Sequence, residues 1–233
     1  MTHLKDKEDP NFLVNGQSAV YYCYDALCGW CYGFTPEIQK LEALYRHELT
    51  FEVLSGGMVM PENAKPIGQM AKYLGKAYKE VESLTGARFG ADYLWHISNP
   101  DKSDWLLNSE KPAIALSILK EHCASRAIEI AADLQYAHMF EGRDLTDPEA
   151  YRHLLPKYEM EWGIFSLKLK GEEHLNKAHE DFALVKQLQV AAYPAVLLQV
   201  SDVKFYLIAQ GYTTFEVMHA RIDKAMKTEN DVI

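Results

Sequence analysis

The sequence lacks most of the features that would place it in a specialised class. No apolar run approaches the ~20 residues that span a bilayer, so no membrane insertion is expected. The N-terminus, Met1 to Pro10, is polar and carries no apolar segment of the secretory kind, so a cytoplasmic location is expected. Lys and Arg number 24 against 33 Asp and Glu, and the net charge of −9 argues against nucleic acid or an anionic membrane as partner. Four cysteines in 233 residues are too few for a disulfide scaffold. Neither G-x-x-x-x-G-K-[ST] nor G-x-G-x-x-G occurs, which leaves nucleotide binding without support. The nine histidines form no H-E-x-x-H: His47-Glu48 and His179-Glu180 have no second histidine in phase. His174 and His179 are read as a solvated helix face. No metal and no organic cofactor is expected.

What the chain does have is a dithiol in a strategic place. Hydrophobic residues make up 48%, enough for one large domain or a small domain with an insertion. Ala19 to Tyr24 has strand character, and Ile38, Leu41, Leu44 and Tyr45 recur at helical spacing. Between them lies Cys28-Gly29-Trp30-Cys31, at the turn from strand to helix. Unpaired N–H groups and the positive end of the helix dipole stabilise a thiolate there. Cys31 sits one turn further in, within reach of a small disulfide ring. A C-x-x-C beside a βαβ pattern reads as a redox motif, with Cys28 as nucleophile and Cys31 as resolving thiol.

In chain order, residues 1–17 read as a polar arm, followed by a strand over 19–24 and a helix over 28–47 that contains Pro36. A second strand, Phe51 to Leu54, runs into a loop in which Gly56-Gly57 is read simply as a turn. From 61 to 170 the pattern is helix after helix. Helices are predicted over 64–84, 89–97, 112–123 (capped by Asn108 or Ser109) and 128–140. Another is predicted from the Thr146-Asp147-Pro148-Glu149 capping box to about Glu159. An amphipathic helix over 172–188 follows, then a hairpin of 195–200 with 204–208. Thr213-Thr214-Phe215-Glu216 opens a terminal helix. The predicted division is 18–60 with 171–233 as one α/β domain and 61–170 as an all-helical insertion.

This β-α-β and α-β-β-α order, with C-x-x-C on the first strand-to-helix turn, resembles the thioredoxin fold. The helical insertion is similar to the DsbA-type branch of that superfamily. Pro36 stands where thioredoxins carry a proline inside the helix, and Tyr193-Pro194 stands where they keep a cis-proline. Tyr24-Asp25, two intervening residues and then C-G-W-C-Y-G-F look like cytosolic members of the FrnE and dithiol-disulfide isomerase kind. The resemblance implies that Tyr193 and Pro194 form a substrate-facing loop opposite the cysteines, pairing with an extended segment. It implies protein thiols and disulfides as partners, with glutathione or a thioredoxin-type reductant in support. Two departures stand out. The buried acid that thioredoxins carry six residues before the first cysteine is Tyr22 here, leaving the part played by Asp25 open. The intervening pair is Gly29-Trp30, with no histidine beside Cys28, so a weaker oxidant than DsbA is expected.

Other readings compete at several residues. Trp30 is either an apolar contact for substrate beside the sulfur or a partly buried aromatic of the helix. Met58, Val59, Met60 and Trp95 suit either a substrate groove or core packing, and core is the safer account. Cys23, Cys28 and Cys31 have ferredoxin-like spacing with Cys123 as a distant fourth, but Cys23 belongs to a strand, so inert core thiols are preferred for Cys23 and Cys123. Kappa-class glutathione transferases and hydroxychromene-carboxylate isomerases resemble the same architecture, giving a glutathione-dependent alternative. A non-enzymatic redox-sensing adaptor is the third.

Overall fold

The computed structural model describes residues 18–230, so the polar arm expected over 1–17 lies outside the described residues. At its centre is a four-stranded sheet in the order β2-β1-β5-β6. β1 (Ala19–Tyr24) pairs parallel with β2 (Thr50–Ser55) and antiparallel with β5 (Ala195–Ser201), which pairs antiparallel with β6 (Lys204–Gln210). Every residue of β1 is buried, because both faces of the central strand are covered, and so its sequence reads as an unbroken apolar run.

Alternation along β1 divides the core. Val20, Tyr22 and Tyr24 face a large cluster with Phe34, Ile38 and Leu41 of α1 (Gly29–Tyr45), which also takes in Met218 and Ile222 of α8 (Phe215–Asn230). Ala19, Tyr21 and Cys23 face the other way, toward Val185 of α7 (Glu172–Gln187). Each fully buried side chain of the size of Phe34 or Leu41 contributes roughly 1.5–3 kcal/mol by leaving water. Cys23 therefore lies across the sheet from Cys28 and Cys31, which belong to the first cluster. A shared cluster of the three sulfurs has no geometric basis.

Between β2 and α7 the chain forms α2 (Ala71–Thr85), α3 (Ala91–Ser98), α4 (Glu110–His122), α5 (Ala127–Met139) and α6 (Trp162–Leu169). Strand structure here is confined to a two-residue antiparallel ladder absent from the helix-after-helix reading: β3 (Lys65–Pro66) with β4 (Leu106–Leu107). The helix expected from Thr146 to Glu159 does not form. Asp147, rather than Thr146, accepts from the Glu149 N–H at 3.0 Å, and only two 3-10 turns follow, Pro148–Tyr151 and Leu155–Tyr158. Pro156 cannot donate within the second turn, and Glu159 ends it in the left-handed region at φ 52°. α6 then begins where no helix was predicted. His174 is also corrected: it is buried, with Nδ1 3.0 Å from the Ser117 hydroxyl of α4, because α7 packs that side on the insertion.

Candidate active site

β1 ends at Tyr24 and α1 begins at Gly29, and the four residues between them form a tight turn. The Cys28 N–H donates to the Asp25 carbonyl at 3.0 Å, and the Cys28 carbonyl accepts from Tyr32 N–H at 3.1 Å, so Cys28 is the N-cap of α1. No side chain caps this helix end. α1 continues unbroken through Pro36 to Tyr45. Gly33 in this helix passes close to α2: a Cβ there would lie 2.8 Å from both Thr85 Oγ1 and Val81 Cγ1, which is why the segment after the cysteines needs glycine.

Cys28 and Cys31 are free thiols that approach to 3.4 Å. Cys31 is wholly buried, whereas Cys28 is 7% exposed and its accessible edge lines a groove of about 340 Å³. The Cys31 thiol hydrogen-bonds to Cys28 and is the largest influence holding Cys28 below the ordinary thiol pKa. Backbone N–H groups of Cys31 and Trp30 add to it, while burial and the Asp25 charge oppose it. The sequence reading credited the helix end alone. The partner thiol contributes more than the helix N–H groups do. Cys31 is pushed well above the ordinary value, by burial first and then by Cys28. One sulfur is thus prepared to be anionic while the other stays protonated. Cys23, buried on the far side of the sheet, has its thiol pushed up to about 12.

Tyr193 and Pro194 stand opposite. Their peptide bond is cis, and the Tyr193 carbonyl accepts from Cys28 Sγ at 3.7 Å. The Tyr193 hydroxyl donates to the Gly56 carbonyl at 2.8 Å, and a Cβ on Gly56 would fall 2.3 Å from the Tyr193 ring. Gly56 is therefore more than the turn residue it was read as: its missing side chain admits Tyr193. Gly57 beside it takes φ +64°, which glycine tolerates without strain.

The groove runs from Cys28 between the first strand-to-helix turn and the insertion, with Trp30, Met58, Tyr73, Tyr78 and Phe89 as its main apolar surface and Lys65 as its one cation among the described residues. Trp30 is half-buried, packing on the core while lining the groove. Met58 and Val59 line the groove as well, whereas Met60 and Trp95 do not.

Three site residues escaped sequence reasoning. Gln135 of α5, buried, donates from Nε2 to the carbonyls of Asp25 (3.1 Å) and Cys28 (3.4 Å). Of the two candidate caps, Asn108 accepts from the Glu110 N–H at 2.9 Å, while Ser109 gives its hydroxyl to Asp25 at 3.0 Å. Asp25, whose part the sequence leaves open, is fully buried and accepts from Leu27 N–H (3.0 Å), Met58 N–H (2.7 Å) and Ser109. The Asp25-x-x-Cys28 spacing was the one available signal. The other partners are brought in by tertiary structure.

The sequence matches no family model and no curated protein. Solved structures do match its fold. A candidate protein disulfide isomerase from Nitrosomonas europaea superposes with a TM-score of 0.77 at 19% identity, over 91% of this chain and 98% of that one. The cytosolic disulfide reductase DsbM from Pseudomonas aeruginosa does so with a TM-score of 0.70 at 23% identity, over 92% and 100%. A 2-hydroxychromene-2-carboxylate isomerase gives 0.63 at 14% identity, over 92% and 99%. With its sheet order, its helical insertion and a dithiol on the first strand-to-helix turn, the chain has the thioredoxin-like fold of DsbA-type oxidoreductases.

Proposed function

We propose that this chain is a thiol–disulfide oxidoreductase or isomerase that works through Cys28 and Cys31. The observation that carries the reading is the asymmetry of the pair: two free thiols 3.4 Å apart, the first at a helix N-terminus and open to a groove, the second sealed behind it. Cys28 attacks a substrate disulfide as the thiolate and forms a mixed disulfide. Cys31 then attacks Cys28 Sγ, closing the intramolecular disulfide and releasing the substrate thiol. No bound cofactor is needed, because the pair itself carries two electrons. Trp30, Tyr193 and Pro194 face the arriving sulfur and are the proposed substrate contacts.

The partners proposed are protein disulfides and small thiols. The DsbM structure solved with glutathione supports a small-thiol partner by analogy of fold. A reducing cytoplasm suits a dithiol kept open for attack, and no helix among the described residues is long and apolar enough to cross a membrane. The division into an α/β domain (18–60 with 171–233) and a helical insertion (61–170) is proposed on the same footing.

The test is turnover of a defined protein disulfide by the wild type, Cys28→Ser and Cys31→Ser. Cys28→Ser is expected to abolish it, and Cys31→Ser to accumulate a mixed disulfide visible by mass spectrometry. Undiminished turnover in Cys28→Ser would overturn the assignment. A second reading, a glutathione-dependent isomerase or transferase, is favoured by the hydroxychromene-carboxylate isomerase among the structural neighbours. Tight glutathione binding with no disulfide turnover would select it.

A further inference from the structure

His174 is a buried polar side chain that the dithiol chemistry leaves unused. It stands in the first turn of α7 and is only 1% exposed, yet its Nε2 makes no hydrogen bond. Nδ1 is taken by the Ser117 hydroxyl of α4 at 3.0 Å. Nε2 faces the carboxylate of Glu121, in the last turn of α4, whose Oε2 lies 3.1 Å away but out of line for a hydrogen bond. Glu173, beside His174 in sequence, completes the group: one ligand atom from each of Glu121, Glu173 and His174 lies within 4.8 Å of the others. Lys168 pairs with Glu121, and Lys177 with Glu173 at 2.8 Å, so both carboxylates have ordinary partners. The imidazole does not. Neither lysine bonds to Nε2, and a buried ring nitrogen without a partner is unfavourable in either tautomer.

We propose that Glu121, Glu173 and His174 form a zinc site that ties α4 to α7. One imidazole nitrogen and two carboxylate oxygens are a donor set for this ion, and three protein ligands leave the fourth tetrahedral position to water. With bonds of about 2.0–2.1 Å, neighbouring ligand atoms in such a tetrahedron stand about 3.3 Å apart. The 3.1 Å between Nε2 and Glu121 Oε2 is close to that edge. A shared ion sits off the line joining two ligand atoms, so it suits a short pair that is not aligned for a hydrogen bond. The Ser117 hydroxyl can accept from Nδ1–H, which leaves the lone pair on Nε2 and supplies the outer partner that metal-bound histidines use. The Glu173 side chain is largely exposed and free to swing onto the ion, displacing Lys177. A cavity of about 280 Å³, with Ser117, Glu121 and Lys177 in its wall, opens beside the group and gives an entry path. The site uses no cysteine, and the inference is independent of the disulfide-exchange reading.

The test is zinc binding, followed by calorimetry and by thermal unfolding, in the full chain carrying Cys28→Ser and Cys31→Ser. That background removes the dithiol as a rival zinc ligand. One ion per chain is expected to bind with Kd below about 10 μM. Free zinc at about a hundredfold excess over Kd is expected to raise Tm by about 5 °C or more. His174→Gln, Glu121→Gln and Glu173→Gln, each added to the background, are expected to weaken binding at least about tenfold, and Ser117→Ala about tenfold. Lys168→Ala removes the cation that competes for Glu121 and is expected to tighten binding about threefold, a gain that a merely structural ion pair would not give. If His174→Gln does not fold, the two surface glutamates decide. Zinc binding that neither glutamate variant weakens would belong to another part of the chain and overturn the proposal. So would the absence of saturable binding below about 100 μM zinc.

Discussion

Replacing Gln135 with leucine tests whether the insertion is part of the active site or a cover over it. Gln135 reaches from α5 to the turn that carries Cys28, and its amide is buried, so no water stands ready to replace it. The loss is bounded by what each carbonyl keeps. The Asp25 carbonyl still accepts from Cys28 N–H at 3.0 Å and the Cys28 carbonyl from Tyr32 N–H at 3.1 Å, so neither is orphaned. Three hydrogen bonds disappear, two of them long: Gln135 Nε2 to the Cys28 carbonyl at 3.4 Å, and the Thr35 hydroxyl, which also donates to the Cys31 carbonyl, to Gln135 Oε1 at 3.5 Å. At about 1 kcal/mol for the short bond and less for each long one, reduced a little by the added apolar burial, the expected destabilisation is roughly 1–2 kcal/mol. For a chain of this size that lowers Tm by about 2–4 °C per kcal/mol. Gln135→Glu is expected to cost more, since an ionised carboxylate cannot donate to two carbonyls. Urea unfolding of the reduced protein gives the stability, and the rate of Cys28 alkylation reports loosening of the turn. A leucine variant within about 0.5 kcal/mol of wild type, with unchanged alkylation, would refute the claim that α5 holds the turn.

Two further outcomes follow from buried groups. His138, stacked on Trp105 with centroids 5.1 Å apart and bonded through Nδ1 to the Arg143 carbonyl, is pushed by burial down to about 4 from 6.5. Its unfolded form protonates first, so the stability it contributes is present above pH 6.5 and lost as pH falls toward 4. Asp181, pushed by burial up to about 6, works in the opposite sense over the same window, so wild type alone is a poor readout. The stability difference between wild type and His138→Asn is expected to move against wild type by about 2 kcal/mol between about pH 7.5 and pH 5, and a constant difference would contradict it. The buried Tyr22 hydroxyl has no nitrogen or oxygen partner among the described residues and only the weakly bonding Cys31 thiol beside it, so Tyr22→Phe is expected to leave stability unchanged or raise it by up to about 1 kcal/mol. A clear loss in urea unfolding would mean that the phenol is bonded after all.

What the sequence made legible, and what it hid, divides along a physical line. The dithiol could be read because it needs only contiguous residues: a buried strand, a turn and an amphipathic helix place Cys28 at a helix N-terminus whatever else the chain does. The opposing Tyr193-Pro194 could be read only as a matched pair with it. Side chains that choose between partners could not be read. Ser109 and Asn108 both suit the helix cap by local rule, but the Ser109 oxygen accepts from the Val59 N–H while its hydroxyl donates to Asp25, 84 residues away, and Asn108 takes the cap. The same competition moved the Thr146 box: its hydroxyl bonds Asp144 at 2.8 Å, Asp147 caps a single 3-10 turn, and Pro156 prevents the helix its flanking residues suggest. His174 has the composition of a solvated face around it, and only the packing of α7 on α4 buries it against Ser117. Gln135 lies 110 residues from the carbonyl it holds and looks, in sequence, like any polar residue of an amphipathic helix. The dithiol was thus written locally, while the hydrogen bonds that hold its turn, through Asp25, Ser109 and Gln135, depend on a fold that brings the helices between β2 and α7 onto the turn.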